Sequence, residues 1–185
     1  MIKLYNDNNY SSVTAMLKKQ KDADSKKYEK EVQEILEAYY GYKFKDRESE
    51  IKEYDLEAIT GEKIEVKSDY GILDSKKLFI EIWDNLSERK FGWFRYCTAD
   101  TLAVLMVDHI RFLPMKVLVI DFKALQSYVL NHYFNGDWSR TENCRDEFGD
   151  RIIFALNDRT YLKYMLVDLK RVNKFVKFEY IYPWG

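Results

Sequence analysis

The sequence predicts an α/β fold, a mixed β-sheet flanked by helices, and three observations carry that expectation. Tyr28, Val32, Ile35, Leu36 and Tyr39 recur at helical spacing between about Ser25 and Tyr40. The period then switches to two. Tyr54, Leu56 and Ala58 alternate with Asp55 and Glu57, and Ile64 and Val66 alternate with Glu65 and Lys67. Beyond this stretch, apolar runs of strand length and a second helical stretch follow without a Pro- or Ser-rich linker or an internal repeat. Residues 1–185 are therefore read as a single domain.

Taken in chain order, residues 12–21 read as a short basic helix with Val13, Met16 and Leu17 on one side. A stronger helix follows over 25–40, capped by Asp24 or Ser25 and ended by Gly41. The alternating stretch forms a hairpin that turns at Thr60-Gly61. A third strand, Leu78 to Trp83, carries Glu81 inside an apolar run. Ala99 to Met106 is expected as a helix started by Thr98. Residues 109–113 and 115–120 are expected as strands around Pro114, followed by a helix from about Phe122 to Tyr133. The polar segment 134–150 reads as a loop. Strands are then expected at Arg151–Leu156 and Phe175–Tyr182, with a piece between them that the pattern leaves open.

Composition narrows the function classes. Hydrophobic residues make up 46% and charged residues 33%, with two prolines, which fits a folded chain rather than a disordered one. The net charge of −1 gives no overall attraction to nucleic acid, although a local basic patch suffices for binding. Cys97 and Cys144 form no CxxC or Cys/His cluster, which argues against zinc and for reduced thiols. Met1 to Tyr10 lacks an apolar signal core, and no run approaches the roughly 20 apolar residues that span a bilayer. The expectation is a cytoplasmic protein without a membrane partner. His109 and His132 lack metal-binding spacing, and no GxSxG, Walker or GxGxxG motif is present.

The hairpin carries the chemistry. Glu65 and Lys67 are two apart and share a face, opposite to that of Ile64 and Val66. With a Thr60-Gly61-Glu62 loop, Asp55 lies opposite Lys67 and Glu57 opposite Glu65, so four ionisable groups converge. Asp55 and Glu65 are hard oxygen donors suited to Mg²⁺ (or Mn²⁺), an ion that keeps much of its shell for water and phosphate. Lys67 would steady an attacking water or a phosphate. A solvated face with an ordinary surface ion pair is the competing reading of the same residues.

These residues resemble the active core of the PD-(D/E)XK nuclease superfamily, which includes phage nucleases and archaeal Holliday-junction resolvases. The matching elements are Asp55 and Glu65-Val66-Lys67, with Tyr54 where the motif's proline would stand. The stretch from Tyr28 to Leu36 is similar to the resolvase-type helix that supplies a further acid, and by that match Glu29 takes the role. At ~100° per residue, Glu29 lies roughly 70° from the centre of the apolar stripe and Glu31 roughly 90° away on the other side, so Glu31 is the rival. Glu81, Gly92-Trp93 and Thr98-Ala99-Asp100 resemble further elements of the phage nucleases, although Thr98 and Asp100 also read as helix-start residues. The likeness covers roughly residues 25–110. It implies a restriction-endonuclease-like mixed β-sheet flanked by helices, and metal-dependent cleavage of phosphodiester bonds, most simply in DNA. It also implies a metal shell of Asp55, Glu65 and Glu29, with Lys67 and Glu81 completing the catalytic set, and a homodimer by analogy. The alternative is an inactive nucleic-acid-binding or inhibitory protein that keeps the fold.

Three groups of cations stand outside this set. Lys18, Lys19, Lys21, Lys26 and Lys27 form one basic stretch, and Lys163, Lys170, Arg171, Lys174 and Lys177 another. Arg89, Lys90 and Arg95 surround Trp93 and Phe94, a mixture that can stack bases and hold phosphates. A solvated face, or aromatics tucked into the core, explains each equally well.

Overall fold

The computed structural model describes residues 7–45, 54–85, 90–134, 136 and 163–185. Helix α1 spans Asp7–Tyr40 without a break. The two helices expected over this region are thus one, and neither Asp24 nor Ser25 caps a start. No Pro or Gly interrupts the segment, and the low helix propensity of Asp and Ser is too small to end it. The Ser25 hydroxyl instead donates to Glu29 one turn later, at 3.2 Å. Gly41 ends the helix in the left-handed region at φ +64°, its N–H donating to the Glu37 carbonyl at 2.9 Å.

Strands β1 (Leu56–Glu57) and β2 (Lys63–Asp69) form the expected hairpin. A single turn of helix, α2 (Ile72–Ser75), leads into β3 (Lys77–Asn85), then β4 (Lys90–Phe91) and the short α3 (Trp93–Tyr96). Next come β5 (Thr101–Asp108), β6 (Leu113–Asp121) and helix α4 (Phe122–Phe134). The C-terminal part comprises β7 (Lys163–Asp168), α5 (Leu169–Val172) and β8 (Val176–Ile181).

The main sheet has the order β1-β2-β5-β6-β8. Its β2–β5 pair is parallel and its other pairs are antiparallel, so it is a mixed sheet flanked by helices, as predicted. One face buries Ile64, Val66, Ala103, Leu105 and Val107 against Tyr28, Val32 and Leu36 of α1. On the other face, Leu102, Val104, Met106 and Leu118 pack with Ile80 and Ile82 of β3, Phe94 of α3, and Phe122 and Val129 of α4. Full burial of each large side chain stabilises the fold by about 1.5–3 kcal/mol. Among the described residues no helix is long and apolar enough to cross a membrane.

Several expectations are corrected. The run Ala99–Met106, expected as a helix, is strand β5, and Thr98 starts no helix. Thr101 to Val107 are all buried, because this central strand is covered on both faces. A continuously apolar run carries no visible period, so a helix and a strand look alike in sequence. Residues 109–112 form a turn rather than a strand, and Pro114 lies inside β6. The third strand is present but joins β4 and β7 in a second, antiparallel sheet instead of extending the hairpin's own. The piece before the last strand proves to be β7 followed by α5. The expected strand Arg151–Leu156 and nearly all of the 134–150 loop lie outside the described residues.

Gly92 marks the tightest approach between β3 and the segment leading to α3. A Cβ there would stand 2.4 Å from the Glu81 carbonyl oxygen and 2.6 Å from its carbon, so backbone would have to move. Gly92→Ala is therefore expected to lower stability by about 1–3 kcal/mol, read as a shifted urea midpoint.

Candidate active site

The hairpin register differs by two residues from the one expected. Leu56 pairs with Ile64 and Glu57 with Lys63, which removes Glu57 from Glu65; continued one residue past the end of β1, this register brings Asp55 to Glu65 rather than Lys67. The turn explains the difference. Ala58 N–H donates to the Glu62 carbonyl at 2.9 Å, and Gly61 N–H to the Ala58 carbonyl at 2.8 Å, which closes the three-residue loop Ile59-Thr60-Gly61, one residue earlier than expected. A slip of two preserves which side chains share a face, so the convergence of Asp55, Glu65 and Lys67 survives it.

These three groups form a compact ionic cluster. The Lys67 ammonium is paired with Glu65 Oε1 and stands 4.0 Å from Asp55 Oδ2. Asp55 Oδ2 also accepts from Val66 N–H at 2.7 Å, which fixes this carboxylate against β2. Among the described residues Glu65 is the one buried charged side chain, at 5% exposure. Burial pushes its carboxyl up, Lys67 opposes this and Asp55 adds to it, leaving the group at about 7. Burial would lower Lys67, but the charges of Glu65 and Asp55 outweigh that and hold its ammonium above the usual range.

The surroundings come from distant elements. Glu29 on α1 is held above the ordinary carboxylate range, first by burial and then by the charge of Asp55, while Lys67 pulls the other way. Its rival Glu31 lines a groove with Tyr39, Tyr180 and Tyr182 and acts on the Tyr28 and Tyr182 hydroxyls. The fold thus brings Glu29, and not Glu31, to the cluster. Glu81 is half-buried on β3, and its charge reaches Tyr96, which also feels Glu65 and Lys67. Glu81 is therefore a neighbour of the cluster through Tyr96 rather than one of the main charges on Glu65. Glu57, paired with Lys45 at 2.5 Å and accepting from the Tyr54 hydroxyl at 2.9 Å, belongs to the hairpin's outer edge. These bonds hold its carboxyl below the usual range.

Sequence reasoning missed Cys97. The thiol is buried beside Glu65, with which it shares a hydrogen bond, and is pushed up to about 12 by burial and then by the Glu65 charge. No local pattern marks it, because it reaches the cluster through the chain leading into β5. Trp93 stacks under Lys67, whose Nζ lies 5.3 Å from the ring centre, whereas Phe94 is fully buried in the core. Asp100, read as a helix-start residue, clamps two elements. It accepts from Lys63 N–H at 3.0 Å and is paired with Lys123 of α4.

Six of the remaining candidates have ordinary partners, while Arg89 and the side chains of Lys18, Lys19, Lys21, Lys90 and Lys163 lie outside what the structure describes. His109 bonds to Asp74 at 3.0 Å, and His132 stacks on Tyr128. In the C-terminal basic stretch, Arg171 donates to the Tyr133 hydroxyl and Lys174 lies over the Tyr128 ring. Lys177 reaches Thr101 and Glu62. Arg95 lies over the ring of Phe91.

No family model, curated protein or solved structure matches this chain.

The donor chemistry can be set against the ion that the resemblance implies. Among the described residues no three His, Cys, Asp or Glu side chains gather as a metal cluster. Two opposed carboxylates nevertheless fit Mg²⁺, which is commonly held by one or two carboxylates and otherwise by water and phosphate. A buried carboxyl held at about 7 beside a second carboxylate is also a site where added positive charge is favourable.

Proposed function

We propose that the protein is a metal-dependent nuclease of the PD-(D/E)XK type that hydrolyses phosphodiester bonds in DNA. One observation carries the reading: a buried glutamate and an aspartate of the same hairpin share one lysine, bonded to the first and near the second. A solvated surface face would leave Glu65 exposed and unshifted. Asp55 and Glu65 would hold Mg²⁺ or Mn²⁺, and Glu29, which feels the charges of Asp55 and Lys67, would be the further acid. When bound, such an ion stabilises negative charge on the phosphate and makes a water more acidic.

The chain's own contribution is positioning and charge. Val66 N–H fixes one Asp55 oxygen and leaves the other for a ligand. Burial excludes bulk water from Glu65 and strengthens every electrostatic contact there. Lys67, half-exposed, can give up part of its bond to Glu65 and donate to a phosphate oxygen or to the attacking water. Cytoplasmic location, from the cysteine usage and the polar first residues, and dimerisation, by resemblance alone, are further parts of this proposal.

The test is cleavage of circular and single-stranded DNA in Mg²⁺, in Mn²⁺ and in EDTA, comparing the full chain with its Glu65→Gln variant. Cleavage that needs metal and falls by roughly 10²–10⁴-fold in the variant is the expected result. Equal cleavage by both proteins would sink the proposal. Binding without cutting, with or without metal, would favour the alternative of an inactive nucleic-acid-binding protein.

A further inference from the structure

A cleft of about 380 Å³ opens beside Lys67, at the end of β2 and against β3. Its walls include Tyr70, Phe79 and Trp93, and its charged groups are Lys67, Lys77 and Asp69, one oxygen of the last accepting from Gly71 and Ile72 N–H. Ligand sites span about 300–1,000 Å³, so this one has room for a single small ring system but not for a duplex. Lys67 belongs both to the cleft and to the ionic cluster, so a group seated here lies next to whatever Lys67 holds.

A second observation extends the aromatic wall. In the turn between β5 and β6, Asp108 Oδ1 accepts from Ile110 N–H at 2.8 Å and Arg111 N–H at 3.0 Å. Phe112 N–H then donates to the Asp108 carbonyl at 2.8 Å. This turn holds Phe112 in the left-handed region at φ +54°, which is costly for a bulky residue and free for glycine. The ring gains no burial in return, being 67% exposed, while Ile110 is 76% exposed. It meets the edge of Tyr70 with centroids 6.4 Å apart, so the cleft wall continues onto the turn's tip. Strain of this kind, with an apolar ring held in water beside an aromatic cleft whose two lysines outnumber its one carboxylate, points to a ligand with π-faces and negative charge.

We infer that the cleft seats an unpaired base of the DNA strand whose phosphate lies at Lys67, with Phe112 stacking on the next base. The preferred substrate is then single-stranded or frayed DNA rather than intact duplex. This rests on the nuclease reading for the placement of the phosphate, while the stacking itself can be measured without cleavage.

The experiment is fluorescence anisotropy in EDTA, using the full chain and a labelled single strand, the same strand in a blunt duplex, and the same strand carrying abasic sites. The single strand is expected to bind at least roughly 10-fold tighter than the duplex, and abasic sites to erase that advantage. Phe112→Gly removes the ring while relieving the backbone, so its thermal midpoint should not fall. Together with Phe79→Leu, it is expected to weaken single-strand binding by roughly 5- to 150-fold and to spare duplex binding. Duplex bound as tightly as single strand, abasic strand bound like intact strand, or both variants binding like wild type would each overturn the inference. Those outcomes leave the dependence of cleavage on Glu65 untouched, and a failure of that dependence leaves these binding ratios as measured.

Discussion

Under the nuclease function proposed above, the Lys67→Ala protein should cleave DNA roughly 10²–10³-fold more slowly than wild type at saturating Mg²⁺. Two effects combine. The cation that would face the phosphate is lost, and the two carboxylates it sits between are left to repel each other. Because Lys67 holds the Glu65 carboxyl down against burial, removing it drives that carboxyl higher. The pH at which cleavage reaches half its maximum, read at sub-saturating metal, should therefore move in the alkaline direction. Lys67→Arg keeps the charge but not the shape, so it should hold the pH midpoint near wild type while recovering only part of the rate. Single-turnover rates across pH separate the two terms. An unchanged midpoint in the alanine protein would show that Lys67 does not act on Glu65. Stability should suffer less than the about 3–5 kcal/mol typical of a broken buried pair, since Glu65 can take up a proton instead of remaining charged.

Glu65→Gln should have the largest effect on stability, and in the stabilising direction. In the unfolded chain the carboxyl has its ordinary value of 4.5, and in the folded protein it lies at about 7. Between these values the folded state binds the proton more tightly, so stability falls as pH rises. The contribution is fully present below about pH 4.5 and is lost as pH passes through about 7. Replacing the carboxyl by an amide removes this titration. In metal-free buffer the variant should match wild type in acid and exceed it above pH 7, by up to about 3 kcal/mol. Denaturant midpoints at several pH values give the measurement, and parallel curves for the two proteins would refute it. Adding Mg²⁺ should close the gap by stabilising only the wild type, because an ion bound to the folded state alone raises its stability.

The same residue shows how far the sequence reached. Alternation at Ile64-Glu65-Val66-Lys67 was enough to assign faces, because backbone pleat alone decides them. It could not tell that Glu65 is buried, since Cys97, which lies beside it, comes about thirty residues later in the chain. Nor did it settle the register, which the Ala58–Glu62 turn decides through two backbone hydrogen bonds. Pattern placed the acid of α1 at either Glu29 or Glu31. The charge of Asp55 acting on Glu29, and that of Glu31 acting on Tyr182, separated them.

The sequence by itself determined the elements whose periodicity is visible: the stripe of α1, the two-faced hairpin, helix α4 and strand β8. It also determined the convergence of Asp55, Glu65 and Lys67, because a register error of two leaves parity intact. Only the tertiary structure decided that Thr101–Asp108 is a strand and that β3 belongs to a second sheet. It also decided that a cleft opens beside Lys67. Local patterns depend on the geometry of a few consecutive residues. Burial, pairing and the charge state of Glu65 depend on groups brought together from the whole chain.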